Sequence, residues 1–84
     1  MKNSKKSLIL KRSIVVAGRK TSVSVEDGFW EALREIAKEC SASLPELITS
    51  INADRKFPNL SSAIRVFVVG YYRDQYIARF KRAA

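Results

Sequence analysis

The chain has no histidine and a single cysteine, Cys40, among 84 residues. These gaps exclude whole classes of chemistry. Without histidine there is no His-based acid–base catalysis and no Ser-His or Cys-His nucleophile pair. One thiol gives neither an intramolecular disulfide nor the usual zinc ligand set. Glycine and proline are scarce, with three and two copies, so there is no Gly-rich phosphate loop. No apolar run approaches the roughly 20 residues that span a bilayer. Near the N-terminus, Leu8-Ile9-Leu10 is cut by Lys11-Arg12, which is too short for a signal peptide core. A cytoplasmic, non-enzymatic protein without metal, cofactor or membrane partner is expected.

Acid is also scarce at the ends. The net charge is +8, from sixteen Lys and Arg against eight Asp and Glu. Residues 1–20 carry +7 with no acid, residues 21–72 carry −2, and residues 73–84 carry +3. A slightly acidic middle with basic ends suggests a polyanionic partner, most simply nucleic acid. Apolar residues make up 46% of the chain, a globular value. A chain this short buries only roughly 60–65% of its unfolded surface, so a second copy is a natural source of further core.

The patterning divides the chain into a flexible basic arm over 1–12, a folded domain over 13–80 and a basic tail over 81–84. Arg19 to Val25 alternates. Lys20, Ser22 and Ser24 are polar, while Thr21, Val23 and Val25 are the more apolar set. That is a one-sided strand with the valines on a core. Gly18 is a candidate bulge or bend. An amphipathic helix follows over about Asp27 to Cys40, with Phe29, Leu33, Ile36 and Cys40 in the stripe and Trp30 and Ala37 beside it. Cys40 on that stripe is expected to be a small buried hydrophobe rather than a redox sensor. Trp30 is expected in the core and not as a base-stacking platform.

Ser43-Leu44-Pro45-Glu46 is a capping box opening a second helix, whose stripe is Leu44, Leu47, Ile48 and Ile51. Asn52 to Asn59 is polar and contains Pro58, as a loop would. Asn59 or Ser61 then caps a third segment, Leu60 to about Phe80. Its β-branched and aromatic centre suits a buried strand, but its length and the spacing of Tyr72, Tyr76 and Phe80 favour a helix.

A lone strand followed by two helices needs a partner strand. Arg19-Lys-Thr-Ser-Val-Ser-Val-Glu-Asp, then Phe29-Trp30-Glu-Ala-Leu33-Arg-Glu-Ile36-Ala, then Ser43-Leu44-Pro-Glu-Leu47-Ile48 resemble the ribbon-helix-helix DNA-binding domains. The likeness is greatest to short bacterial members that continue like Asn59-Leu-Ser-Ser-Ala-Ile-Arg-Val-Phe-Val. Gly18-Arg19-Lys20 stands where that subgroup is expected to carry Gly-His-Arg, which adds charge.

The resemblance implies a mainly α fold. One β-strand would pair across a homodimer, followed by two helices and an additional C-terminal helix. It implies a DNA-binding transcriptional regulator whose two-stranded ribbon enters the major groove of double-stranded DNA. Lys20, Ser22 and Ser24 would face the bases. Lys11, Arg12 and Arg19 would contact phosphates, and Ser43 and Leu44 at the second helix start would seat another phosphate. Val23, Val25, Phe29, Trp30, Leu33, Ile36, Leu47 and Ile48 would form core and dimer interface. The alternative is a protein–protein interaction module that keeps the fold and docks a protein partner through the apolar C-terminal segment, without specific DNA binding.

Overall fold

The computed structural model describes residues 9–54 and 58–83. Two strands, β1 (Ile9–Val16) and β2 (Arg19–Glu26), precede three helices, α1 (Asp27–Glu39), α2 (Leu44–Asp54) and α3 (Leu60–Ala83).

The strand expected to wait for a second copy finds its partner inside the chain. β1 and β2 pair antiparallel, from Val16 opposite Arg19 to Ile9 opposite Glu26. Ala17 and Gly18 form the whole connection, at φ of 52° and 78°. Two consecutive positive φ values in a two-residue loop are the pattern of a type I′ turn, whose twist matches that of the flanking strands. Gly18 is therefore the hairpin turn rather than a bulge. The expected arm over 1–12 is shortened accordingly: residues 9–12 belong to β1, and residues 1–8 lie outside the described residues.

The register sorts the side chains. Ile14 and Val16 share a face with Thr21, Val23 and Val25. Val16, Val23 and Val25 are buried against the helices. From α1 come Trp30, Leu33, Ile36 and Ala37; from α2, Ile48 and Ile51; from α3, Leu60, Ala63, Ile64 and Val68. Phe29, Leu44 and Leu47 are half-buried at the edge of this cluster.

Local chemistry sets the helix ends. Ser41 has φ 54°, the Ala42 N–H donates to Ala37 C=O at 2.9 Å and the Ser41 N–H to Lys38 C=O at 3.1 Å. This is a Schellman end built on serine in place of the usual glycine. It makes Cys40 the C-cap of α1, where the thiol is exposed. The expectation of a buried Cys40 is thus corrected: the helix stops one residue before the stripe would carry it inward. Glu46 N–H donates to Ser43 Oγ at 3.2 Å, and Ser43 N–H donates to Glu46 Oε1 at 2.9 Å. The capping box closes as expected, and α2 runs through Asn52 to Asp54, further than the polar composition suggests. Ser62 N–H donates to Asn59 Oδ1 at 2.8 Å, which identifies Asn59 as the cap of α3. That segment is a helix of 24 residues. It takes in residues 81–83, so the expected basic tail is helical up to Ala83.

The turn provides a stability test. Gly18→Ala places a Cβ at positive φ and is expected to cost about 1 kcal/mol. Ala17→Asn supplies a residue that tolerates this region and is expected to gain about 0.5 kcal/mol. Urea denaturation midpoints of the two variants, moving in opposite directions, check the turn assignment.

Candidate nucleic-acid interface

A two-residue hairpin loop makes the pair that flanks it, Val16 and Arg19, the hydrogen-bonded pair. Pairs alternate from there. Val15 and Lys20, Ser13 and Ser22, and Lys11 and Ser24 are then non-hydrogen-bonded pairs, in which the two side chains stand closest. All six lie on the face turned away from the core. Lys11, Ser13, Val15, Lys20 and Ser22 are exposed and Ser24 is half-buried.

The expected outward triplet Lys20, Ser22 and Ser24 thus lies on one face, and the hairpin sets Lys11 and Ser13 beside it. Sequence reasoning assigns Lys11 to a separate arm and passes over Ser13. Residues 9–16 carry no clean polar–apolar alternation, and Ala-Gly lacks the Asn-Gly signature that announces such a turn.

One acid, Glu26, shares this face at its base, opposite Ile9. Arg65 of α3 neutralises it, with Nε donating to Glu26 Oε1 at 2.8 Å. That hydrogen bond is the main cause that holds the Glu26 carboxyl below its ordinary value. The cationic character of Lys11 and Lys20 is therefore left unopposed by Glu26.

The same region of α3 covers the outer edge of β2 at Ser24. Ser24 N–H donates to Ser61 Oγ at 2.9 Å, and Arg65 Nη2 donates to Ser24 C=O at 3.2 Å. An open strand edge is a site for unwanted pairing. Here side chains from α3 satisfy its backbone groups at Ser24 and fix the hairpin to the helices.

Arg12 stands apart from the other proposed contacts. It projects on the core side, where Nη2 donates to Asp27 Oδ1 at 2.7 Å. Its guanidinium lies 4.7 Å from the centre of the Trp30 ring, a cation–π arrangement. The buried Nη1 has no hydrogen-bond partner. Arg12 clamps β1 to the start of α1 and is not on the outward face. Arg19 is exposed beside the turn, at the tip of the hairpin. Trp30 is buried beneath Arg12, as expected of a core residue.

The start of α2 is occupied by its own cap. Ser43 N–H is taken by Glu46, Glu46 N–H by Ser43 Oγ and Leu47 N–H by Ser43 C=O, while Pro45 has no N–H. Of the first-turn donors that leaves Leu44. The Glu46 carboxylate stands where a phosphate would approach, so Ser43 and Leu44 act here as a helix start before anything else.

Among the described residues, no group of three His, Cys, Asp or Glu side chains is placed to hold a metal ion. No helix among them is long and apolar enough to cross a membrane.

The ribbon-helix-helix domain family model matches residues 9–72. The chain belongs to the ribbon-helix-helix domain family. Members are typically DNA-binding, dimer-forming, non-enzymatic regulators. The match begins at Ile9, so the family's span takes in β1 as well as β2. Among solved structures, the chain is similar to an uncharacterized protein from Bordetella pertussis Tohama I, with 28% identity and a TM-score of 0.77. The likeness covers 92% of this chain and 66% of that one, so this ribbon-helix-helix chain spans just under two thirds of its structural relative. No curated protein matches the chain.

The Arg12 clamp is testable apart from any ligand. Arg12→Ala is expected to lower unfolding stability by about 1–2 kcal/mol, through the lost charge-assisted hydrogen bond and ring contact. Chemical denaturation followed by Trp30 fluorescence measures it.

Proposed function

We propose that this protein is a homodimeric regulator of transcription that lays the outward face of its β-hairpin in the major groove of double-stranded DNA. The observation that carries this reading is the single hairpin face on which Lys11 and Lys20 are interleaved with Ser13, Ser22 and Ser24. The major groove is about 12 Å wide and accepts a two-stranded ribbon. Lysine donates to guanine O6 and N7 or to phosphate, and serine hydroxyls donate or accept and so suit several base edges. Arg19 at the hairpin tip is suited to a phosphate. The +8 net charge draws the protein toward DNA from a distance. This function needs no cofactor and no catalytic group, and it places the protein in the cytoplasm.

The difference from the expected ribbon is one of supply. Both strands of the hairpin come from one chain, so each copy brings a complete two-stranded ribbon and a dimer brings two. Dimerisation then serves to set the distance between two reading elements.

The second reading, a protein-docking module, draws on the exposed apolar residues of α3, among them Tyr76 and Phe80. It predicts negligible DNA affinity.

Fluorescence anisotropy with a pool of host duplex fragments separates the two. Six to ten phosphate contacts per dimer would reduce affinity by about 10³–10⁵ between 50 and 200 mM salt. Lys11→Ala and Lys20→Ala are expected to weaken binding while leaving the fold intact, each flattening the salt slope by about one unit per phosphate contact removed. Unchanged affinity in the double variant would remove the hairpin from the interface.

A further inference from the structure

The second half of α3 has a surface that no other described residue covers. The buried part of the helix ends at Val68. Beyond it, Tyr71 Oη donates to Glu39 Oε1 at 2.7 Å and Tyr72 Oη to Glu35 Oε1 at 3.3 Å, which tie the helix to α1. The helix continues to Ala83, and from Arg73 to Lys81 every residue is exposed or half-buried. A helical stretch this short is marginal in water without tertiary support.

Val66, Val69, Arg73, Tyr76 and Phe80 follow one another at steps of three and four, the spacing of a helix-pairing seam. Val66 is 51% exposed, Val69 55%, Tyr76 67% and Phe80 65%. The seam is uneven. Its first half is a hollow of about 290 Å³ lined by Arg65, Val66, Val69, Gly70 and Arg73. Its second half is a ridge, where the Tyr76 and Phe80 rings stack with centroids 6.2 Å apart.

Gly70 lies in the hollow. A Cβ built there meets nothing within 4 Å, so the packing of this chain does not require glycine. Glycine inside a helix nevertheless costs about 1 kcal/mol relative to alanine. With no side chain, Gly70 leaves the floor of the hollow open to an approach from outside the chain.

We propose that α3 pairs antiparallel with α3 of a second copy, the Tyr76–Phe80 ridge of each seated in the Gly70 hollow of the other. The symmetry follows from the positions. Val66 and Phe80 lie seven residues either side of Arg73, about 10.5 Å each way along the axis. A two-fold axis at Arg73 therefore sets Val66 against Phe80 of the second copy, and Val69 and Gly70 against Tyr76 and Ile77. Hollow and ridge on one surface, equally distant from one residue, are what a self-complementary two-fold interface requires. Arg65 and Arg73 at the rim are placed to lie against the incoming rings. Asp74, only loosely paired with Arg73 of its own chain at 3.9 Å, is available to Arg73 of the second copy. Arg73 meets its own copy at the axis in this arrangement, with Asp74 of each chain beside the pair. A parallel pair would set ridge on ridge, leave the hollows empty and align Arg79 and Lys81 with their own copies as well.

This pairing specifies the homodimer of the proposed function and is independent of DNA binding. The test is sedimentation velocity on the full chain without DNA, with circular dichroism to confirm folding. The wild type is expected to be a dimer. Gly70→Leu, which fills the hollow where the single chain has open space, and Phe80→Ala are each expected to raise the dimer Kd at least about tenfold, or about 1.4 kcal/mol, at unchanged helicity. In a Cys40→Ser background, Val66→Cys and Phe80→Cys chains are expected to cross-link when mixed under oxidising conditions, and neither with itself. A monomeric wild type would overturn the proposal and assign the seam to another protein. A Gly70→Leu chain that dimerises as tightly as wild type would also overturn it and move the contact elsewhere, for instance to the hairpin. Self-cross-linking of Val66→Cys alone would contradict the antiparallel order. Loss of DNA binding with the dimer intact would count against the proposed function and leave the pairing standing.

Discussion

The two-residue loop at Ala17 and Gly18 sets the register on which everything else depends. Because side chains alternate along a strand, a slip of one residue would turn Val23 and Val25 outward and bring Lys20, Ser22 and Ser24 onto the core. The positive φ values at both loop positions hold Val16 against Arg19, and every later pairing follows. One face then supplies Val16, Val23 and Val25 to the core, and the other gathers Lys11, Ser13, Lys20 and Ser22 in solvent. A core and a polar, basic surface are thus two consequences of one turn.

A hairpin alone is marginal in water, and two side-chain clusters hold this one. On the core side, Arg12 bridges β1 to Asp27 and covers Trp30. At the edge of β2, Ser61 and Arg65 of α3 satisfy the backbone of Ser24, and Arg65 neutralises Glu26. Arg65 therefore serves both shape and charge. It covers the edge of β2 at Ser24, and it pairs with the one acid on a face otherwise made of lysine, serine, valine and isoleucine. The helix that does this then runs on past the core, where its exposed seam is free for another chain.

The sequence displays some of this architecture openly and conceals the rest. β2 is legible because its polar and apolar positions alternate cleanly. The start of α2 is legible because Ser43 and Glu46 have one economical arrangement, and the structure contains it. β1 is hidden because its two faces look alike in composition: Ile14 and Val16 lie on the core side with Arg12 and an exposed Leu10, while Ile9 and Val15 face solvent on the other. The burial of an arginine over a tryptophan has no periodic signature. Cys40 is misplaced by its stripe, which predicts burial only while the helix lasts, and Ser41 in the left-handed region ends it. Of the outward face, Lys20, Ser22 and Ser24 are legible from alternation. Lys11 and Ser13 join them only once the turn is known. α3 is recognisable from its length, but the even spread of apolar residues around it conceals which side meets the core and which side lies open.

The central claim is that the outward face of the hairpin is the surface that meets DNA. Amide chemical-shift mapping of the 9.5 kDa chain during titration with a bound duplex tests it most directly. The account predicts that the largest shifts fall on Lys11, Ser13, Lys20 and Ser22 and at the Gly18 turn, while residues in the last turn of α1 such as Lys38 and Glu39 stay in place. Shifts concentrated on α3 or at the start of α2, with the hairpin unmoved, would contradict it.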